Sequence, residues 1–274
     1  MRASSAISPA ILFTACAVCA AAVNVPASPL RVSFHHIHVN DRVPQNLVAY
    51  YGKLFRSDTT RPASIGQVQG IESDGVFLLI DATPRMPPEQ GAAGWHFGWG
   101  TVSLDEAYDR HRMQEIDWDL PLERFSKDLH VHLESENPVQ AAEWYRDTFG
   151  ATLQIASTAA DVQPVNPAHR RPRAIVRLEQ IALAIYKTAG PLEPSRGHRI
   201  DHLAFRADLS EARARTDLRV SAAAGRLGTF DTMMIEGPDQ LAIELIGAPS
   251  FPAHKKRSRL APAPFGLWAL GPGL

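Results

Sequence analysis

The sequence predicts an α+β chain of tandem βαβββ modules, forming two paired, cup-shaped mixed sheets of which the N-terminal pair is incomplete. Three observations predict it. First, His36-Ile37-His38-Val39 aligns with His130-Val131-His132-Leu133 at an offset of 94, and at that offset Pro44 meets Pro138, Tyr51 meets Tyr145 and Phe55 meets Phe149. Second, Trp95-His96-Phe97 and Leu104-Asp105-Glu106-Ala107 align with Asp201-His202-Leu203 and Leu209-Ser210-Glu211-Ala212, one residue being inserted. The order is therefore A, B, A′, B′, and a long repeat of this kind sets the architecture. Third, each unit opens on a short alternating run, passes through a stretch of helical spacing, and ends in runs parted by turn residues.

In unit A, residues 34–40 alternate as a strand, and residues 45–55 carry Leu47, Tyr50, Tyr51, Leu54 and Phe55 at helical spacing. Two strands follow, 66–72 and 76–82, divided by the turn Ser73-Asp74-Gly75. Unit B begins with the strand around Trp95 and a helix at 104–114. Only Glu115 to Asp128 then remain before A′, too short for a full set of closing strands. Unit A′ reads as strand 129–134, helix 138–149, and strands near 151–157, 173–178 and 181–187. Unit B′ reads as strand 200–206, helix 209–224, and strands 231–236 and 241–246 about Gly237-Pro238-Asp239. Pairing neighbours in sequence gives an N-terminal module pair over 32–125, its second module truncated, and a C-terminal pair over 126–250.

The ends read differently. Arg2 precedes the uncharged apolar run Ala10 to Val23, which is followed by small residues; residues 1–27 are expected to be a secretory signal. The run is too short to span a bilayer, which takes about 20 residues, and no later stretch qualifies, so no membrane span is expected after signal removal. Both cysteines, Cys16 and Cys19, fall inside it, which leaves a mature chain without thiol chemistry or disulfides. Residues 251–274 form a tail rich in Pro, Gly and basic residues. The 274 residues are 45% hydrophobic, and 28 Lys+Arg against 29 Asp+Glu give a net charge of −1. That balance argues against a nucleic-acid partner, which needs a basic excess.

Alternation also sorts the polar strand residues. Val131 and Leu133 are apolar, so His130, His132 and Glu134 face the other way. Leu203 and Phe205 likewise leave His202, Ala204 and Arg206 on the open face, and Ile243 and Leu245 leave Ala242, Glu244 and Ile246. His35 falls on the packed face and reads as structural. An isolated strand histidine is ordinarily packed or solvated, and that is the reading for His38, His111, His169 and His254.

The stretches HIHVNDRVPQNLVAYYGKLF, HVHLESENPVQAAEWYRDTFG, DHLAFRADLSEA and MMIEGPDQLAIELIGAP resemble the vicinal oxygen chelate superfamily. That group includes glyoxalase I, extradiol dioxygenases, methylmalonyl-CoA epimerase and the bleomycin- and fosfomycin-resistance proteins. Its paired modules curl into a cup that holds a metal. The resemblance, with the alternation, implies metal ligands at His130, His202 and Glu244, a 2-His-1-carboxylate set with open positions. Ala184 stands near the place of glyoxalase I's fourth ligand, a glutamate, so the three-ligand dioxygenase pattern fits better. Tyr186, His132 and His198 are the expected pocket or proton-transfer residues. The N-terminal pair offers only His36 and His96 and reads as degenerate.

The implied function is an exported enzyme, secreted or periplasmic, using a divalent ion (Fe, Zn, Mn or Ni) on a small oxygen-rich substrate. It would be extradiol dioxygenase-like or glyoxalase/lyase-like, and a homodimer is compatible with it. The alternative is a metal-independent protein that sequesters small molecules, as bleomycin-resistance proteins do.

Overall fold

The computed structural model describes residues 27–54, 60–73, 75–98, 129–156, 172–179 and 181–247. The expected signal, the basic tail and the expected helix at 104–114 lie outside the described residues, as do His111, His169 and His254. Among the described residues no helix is long and apolar enough to cross a membrane.

Unit A forms β1 (Ser33–Asp41), α1 (Pro44–Leu54), β2 (Arg61–Ile65), β3 (Val68–Ser73) and β4 (Val76–Ala82). Unit B contributes β5 (Gly94–Gly98). Unit A′ supplies β6 (Leu129–Ser135), α2 (Pro138–Phe149), β7 (Thr152–Ala156), β8 (Ala174–Leu178) and β9 (Ile181–Lys187). Unit B′ supplies β10 (Ile200–Ala207), α3 (Leu209–Ala214), β11 (Arg219–Leu227), β12 (Phe230–Glu236) and β13 (Ala242–Gly247).

The ends of α2 show why local sequence fixes its limits. The Asn137 side chain accepts from Gln140 N, Pro138 occupies the first turn, and Gly150 ends the helix at φ 69°. These are the standard solutions for unpaired amides and carbonyls at helix ends. The expected helix 209–224 stops at Ala214 instead. From Arg219 the chain is a strand paired with β12, turning at Gly228 with φ 58°. The alanines of Arg219–Leu227 favour a helix, but pairing along β12 overrides that preference.

The strands form two sheets. The eight-stranded sheet runs β11-β12-β13-β10-β1-β4-β3-β2, and the five-stranded sheet runs β5-β6-β9-β8-β7. The pairing of modules is therefore not the one expected. Unit A joins B′ through antiparallel β1 and β10, with His36 opposite Ala204 and His38 opposite His202. Unit A′ joins B through antiparallel β5 and β6. The outer units close on each other and the inner units on each other. Alternation determines which face a side chain takes but carries no information about which module supplies the partner edge, and that is where the expected grouping of 32–125 and 126–250 fails.

One core serves both sheets. Ile37, Leu78, Leu203, Phe205 and Ile243 of the larger sheet and Val131, Tyr145, Val176 and Leu183 of the smaller are buried in one cluster. Gly94 marks a close approach between sheets, since a methyl group there would lie 2.9 Å from Ile200 Cγ2. The opposite face of the larger sheet carries a second cluster, Ile65, Leu79, Ala204, Leu227 and Ile246, which packs the interior of the cup.

Gly70 of β3 yields a first prediction. A Cβ at this position would collide with the backbone carbonyl of Leu78 on β4. Backbone cannot swing aside as a side chain does. Gly70→Ala is expected to cost roughly 1–3 kcal/mol by overpacking, read as a lowered midpoint in urea denaturation. An unchanged midpoint would show that β3 and β4 can separate freely.

Candidate metal centre

β1, β10 and β13 lie side by side in the larger sheet, with His36 opposite Ala204 and Ala204 opposite Glu244. Three side chains from these strands converge. His36 Nε2 is 3.3 Å from His202 Nε2, and Glu244 Oε2 is 3.6 Å from each. A metal about 2.1 Å from each of three tetrahedral ligands would hold them about 3.4 Å apart. The three atoms thus already have the spacing of a metal's coordination edges. His38, His36 and His202 together also place their ring nitrogens within 4.8 Å of one another. His38 stacks on His202 with ring centroids 4.4 Å apart, and its Nε2 is 3.0 Å from Asp81 Oδ2.

A local irregularity positions His36. The register between β1 and β10 shifts between Phe34 and His36. Phe34 and Ile37 both pack in the main core. His35 is the extra residue, and its ring lies on the cup side, with Nδ1 2.8 Å from His36 Nδ1. The expectation that His35 faces the core fails because a bulge breaks the period of two.

The outer partners are fixed too. His202 Nδ1 is 2.7 Å from Asp201 Oδ1, an arrangement that leaves Nε2 free to ligate. Asp201 in turn accepts from Asn40 Nδ2 at 3.0 Å and Gly197 N at 2.8 Å, and Arg196 Nε lies 3.2 Å away. Burial disfavours the Asp201 carboxylate, but His202, the Gly197 amide and Arg196 outweigh it and hold its pKa well below the usual range. Burial likewise lowers the pKa of His202, yet hydrogen bonds to Asp201 and Glu244 outweigh it and set it above the ordinary value. Glu244 is lowered: burial acts against this, while His202 and Thr232 favour its charge. His36 lies well below the ordinary value, through burial and then His202 and His38. A neutral imidazole is the form that ligates a metal.

The expected site residues divide between the two sheets. His202 and Glu244 sit together as expected. His130 does not join them: it lies on β6 of the smaller sheet, its ring over Gly98, where any side chain would collide with it. Its neighbours there are His96 and His132, with centroids 6.3 Å and 4.9 Å away. His132 and Tyr186 also belong to this second face, packed with Trp95. Burial, then His130, takes His96 to about 4; burial, then His96 and His130, takes His132 to about 2. His198 is in the loop before β10. Its Nε2 lies 3.4 Å from Glu193, and its backbone carbonyl accepts from Asn40, so it supports the Asp201 network and does not face the three ligand atoms. Ala184 is opposite His132 in the smaller sheet and has no place at the centre.

His36 and His38 are the residues that sequence reasoning undervalued. The pairing shows what the residues alone do not: β1 and β10 open equivalent units, and His36 pairs with Ala204 just as His38 pairs with His202, the register of a local twofold. That twofold maps His36 onto His202 and Leu79 onto Glu244, because Phe77 lies opposite His36 and Ala242 opposite His202. The mate of the carboxylate is thus a leucine.

No family model and no curated protein sequence matches the chain. Solved structures do. Glyoxalase I from Zea mays superposes with a TM-score of 0.58 at 9% identity, over 79% of this chain and 92% of that one. A candidate dioxygenase from Bacillus subtilis superposes with a TM-score of 0.52 at 14% identity, over 81% of this chain and 87% of that one. With strands of units A and B′ closed into the larger sheet and strands of A′ and B into the smaller, the described residues share the fold of these glyoxalase I and dioxygenase structures.

Proposed function

We propose that this protein is a metal-dependent enzyme of the vicinal oxygen chelate type, acting on a small oxygen-bearing substrate, with His36, His202 and Glu244 as the metal ligands. The observation that carries the reading is the triangle of Nε2, Nε2 and Oε2 at 3.3–3.6 Å, built from three separate strands on a buried surface. Holding two imidazoles and a carboxylate so close in low dielectric is costly unless a cation or a proton joins them. A divalent ion bound there supplies a Lewis acid that polarises substrate oxygens.

The surrounding residues have separable tasks. Asp201 fixes the tautomer of His202, and His35 orients His36 through the Nδ1 contact. His38, beside the ligands and hydrogen-bonded to Asp81, is placed to hold or move a proton at Nε2. Leu79 leaves the fourth place without a carboxylate, which favours the three-ligand, dioxygenase-like pattern over the four-ligand glyoxalase one. The apolar run after Arg2 favours a secreted or periplasmic protein.

The test is metal per chain after dialysis against a mild chelator. Wild type and His130→Ala are expected to keep one divalent ion, and His36→Ala and His202→Ala to keep almost none. A metal-free wild type that binds small molecules tightly would transfer the reading to sequestration. Metal lost in His130→Ala but kept in His36→Ala would move the centre to the smaller sheet.

A further inference from the structure

The eight-stranded sheet holds a second feature that the metal reading leaves unused. A cavity of about 540 Å³ opens beside His35, Phe77, Arg206, Phe230, Ser64 and Thr229. It is closed at one end by two hairpin turns in contact: a Cβ on Gly66, in the β2–β3 turn, would lie 2.9 Å from Gly228 Cα in the β11–β12 turn. The volume suits one small molecule.

Its charge is unbalanced. Arg206 is half-buried, and among the described residues it has no acidic partner. Its guanidinium carbon lies 6.0 Å from the centroid of the Phe230 ring. Several arginines are paired, Arg199 with Asp41 and Glu89, Arg215 with Asp217, Arg61 with Glu72, and Arg219 with Glu236, whereas Arg31, Arg42, Arg85 and Arg213 are exposed to water. Guanidinium stays charged at any physiological pH, so a desolvated one without a counter-ion calls for an anion. Burial alone accounts for its lowered pKa, as expected for a cation with no partner.

The walls specify the rest of the ligand. Phe77 lies tilted over His35 at 5.2 Å and 31°, and Phe230 meets the same ring edge-on at 6.1 Å and 65°. Three flat rings and one cation lining the same cavity favour a flat, apolar ligand body with the charge at one end. His35 Nε2 is buried without a hydrogen-bond partner. We propose that this cavity is a binding site for a small aromatic carboxylate, its carboxylate forked by Arg206 and its ring packed against Phe77 and Phe230. His35 forms one wall of the site and touches the metal ligand His36, so the site adjoins the centre without sharing a ligand with it.

The site is testable with benzoate on the full-length protein by isothermal titration calorimetry. Saturable binding of one benzoate per chain is expected. Arg206→Gln should weaken it at least about ten-fold, the loss of a bidentate charged contact, and Arg206→Lys should restore part. Acetate and benzyl alcohol, each lacking one half of the ligand, should bind at least about ten-fold more weakly than benzoate. Wild type dialysed against a chelator should bind benzoate as the metal-loaded protein does, which separates this outcome from any failure of the metal centre. Phe230→Leu provides a second variant should Arg206→Gln fail to fold, and it should also weaken binding. No benzoate binding by folded wild type, undiminished binding in folded Arg206→Gln, or acetate binding as tightly as benzoate would each overturn the proposal.

Discussion

Asp201→Ala is expected to destabilise the fold by about 3–5 kcal/mol, the cost of removing one partner from a buried charged network. It is also expected to weaken metal binding about 10–100-fold, as loss of a ligand's hydrogen-bond partner does. The carboxylate receives His202, Asn40 and the Gly197 amide at once, and its removal strands the buried donors of His202 and Asn40. Asp201→Asn separates the two effects. Its oxygen can still accept from Gly197 or Asn40, so much of the fold survives. Its amide facing His202 Nδ1 can only donate, which shifts the imidazole proton to Nε2 and blocks ligation. Urea denaturation and metal titration on both variants check this. If Asp201→Asn kept wild-type affinity, the tautomer argument would fall.

Glu244→Gln is expected to fold and to lose metal affinity by at least about 100-fold, about 2.7 kcal/mol, because the anion that completes the set is gone. In the metal-free protein Glu244 has a second role. The pair it makes with His202 exists only when both are charged, above the lowered pKa of Glu244 and below the raised pKa of His202. Its stabilisation is therefore lost as pH falls through the first and as pH rises through the second. The apo variant should then be less stable than apo wild type near pH 6, with the gap narrowing as pH rises past the His202 transition. Thermal melts of both apo proteins across pH 5–9 measure this. A gap independent of pH would mean that His202 carries no proton there.

Much of the fold was legible because burial enforces period. Val131, Leu133, Leu203, Phe205, Ile243 and Leu245 are all buried in the main core, so their alternate neighbours take the opposite face of the sheet as the pattern required. The strand at 61–65 was not legible: Pro62 interrupts it, and it survives only because β2 is the outer strand of its sheet. The other outer strand, β11, is almost wholly exposed and so carries no apolar alternation to read. That His202 and Glu244 share one face was legible because they sit in strands with clean alternation inside recognisable motifs. His36 was passed over for His130 because the two occupy identical local contexts, and only the long-range pairing of β1 with β10 distinguishes them. The bulge at His35 is likewise a product of pairing and invisible in the residues alone.

On this reading β1, β10 and β13 together form one metal centre. Crystals grown with a divalent transition metal, measured at that metal's absorption edge, test it most directly. One anomalous peak is predicted about 2.0–2.3 Å from His36 Nε2, His202 Nε2 and a Glu244 carboxylate oxygen. A peak among His96, His130 and His132, or no peak within ligating distance of Glu244, would contradict it.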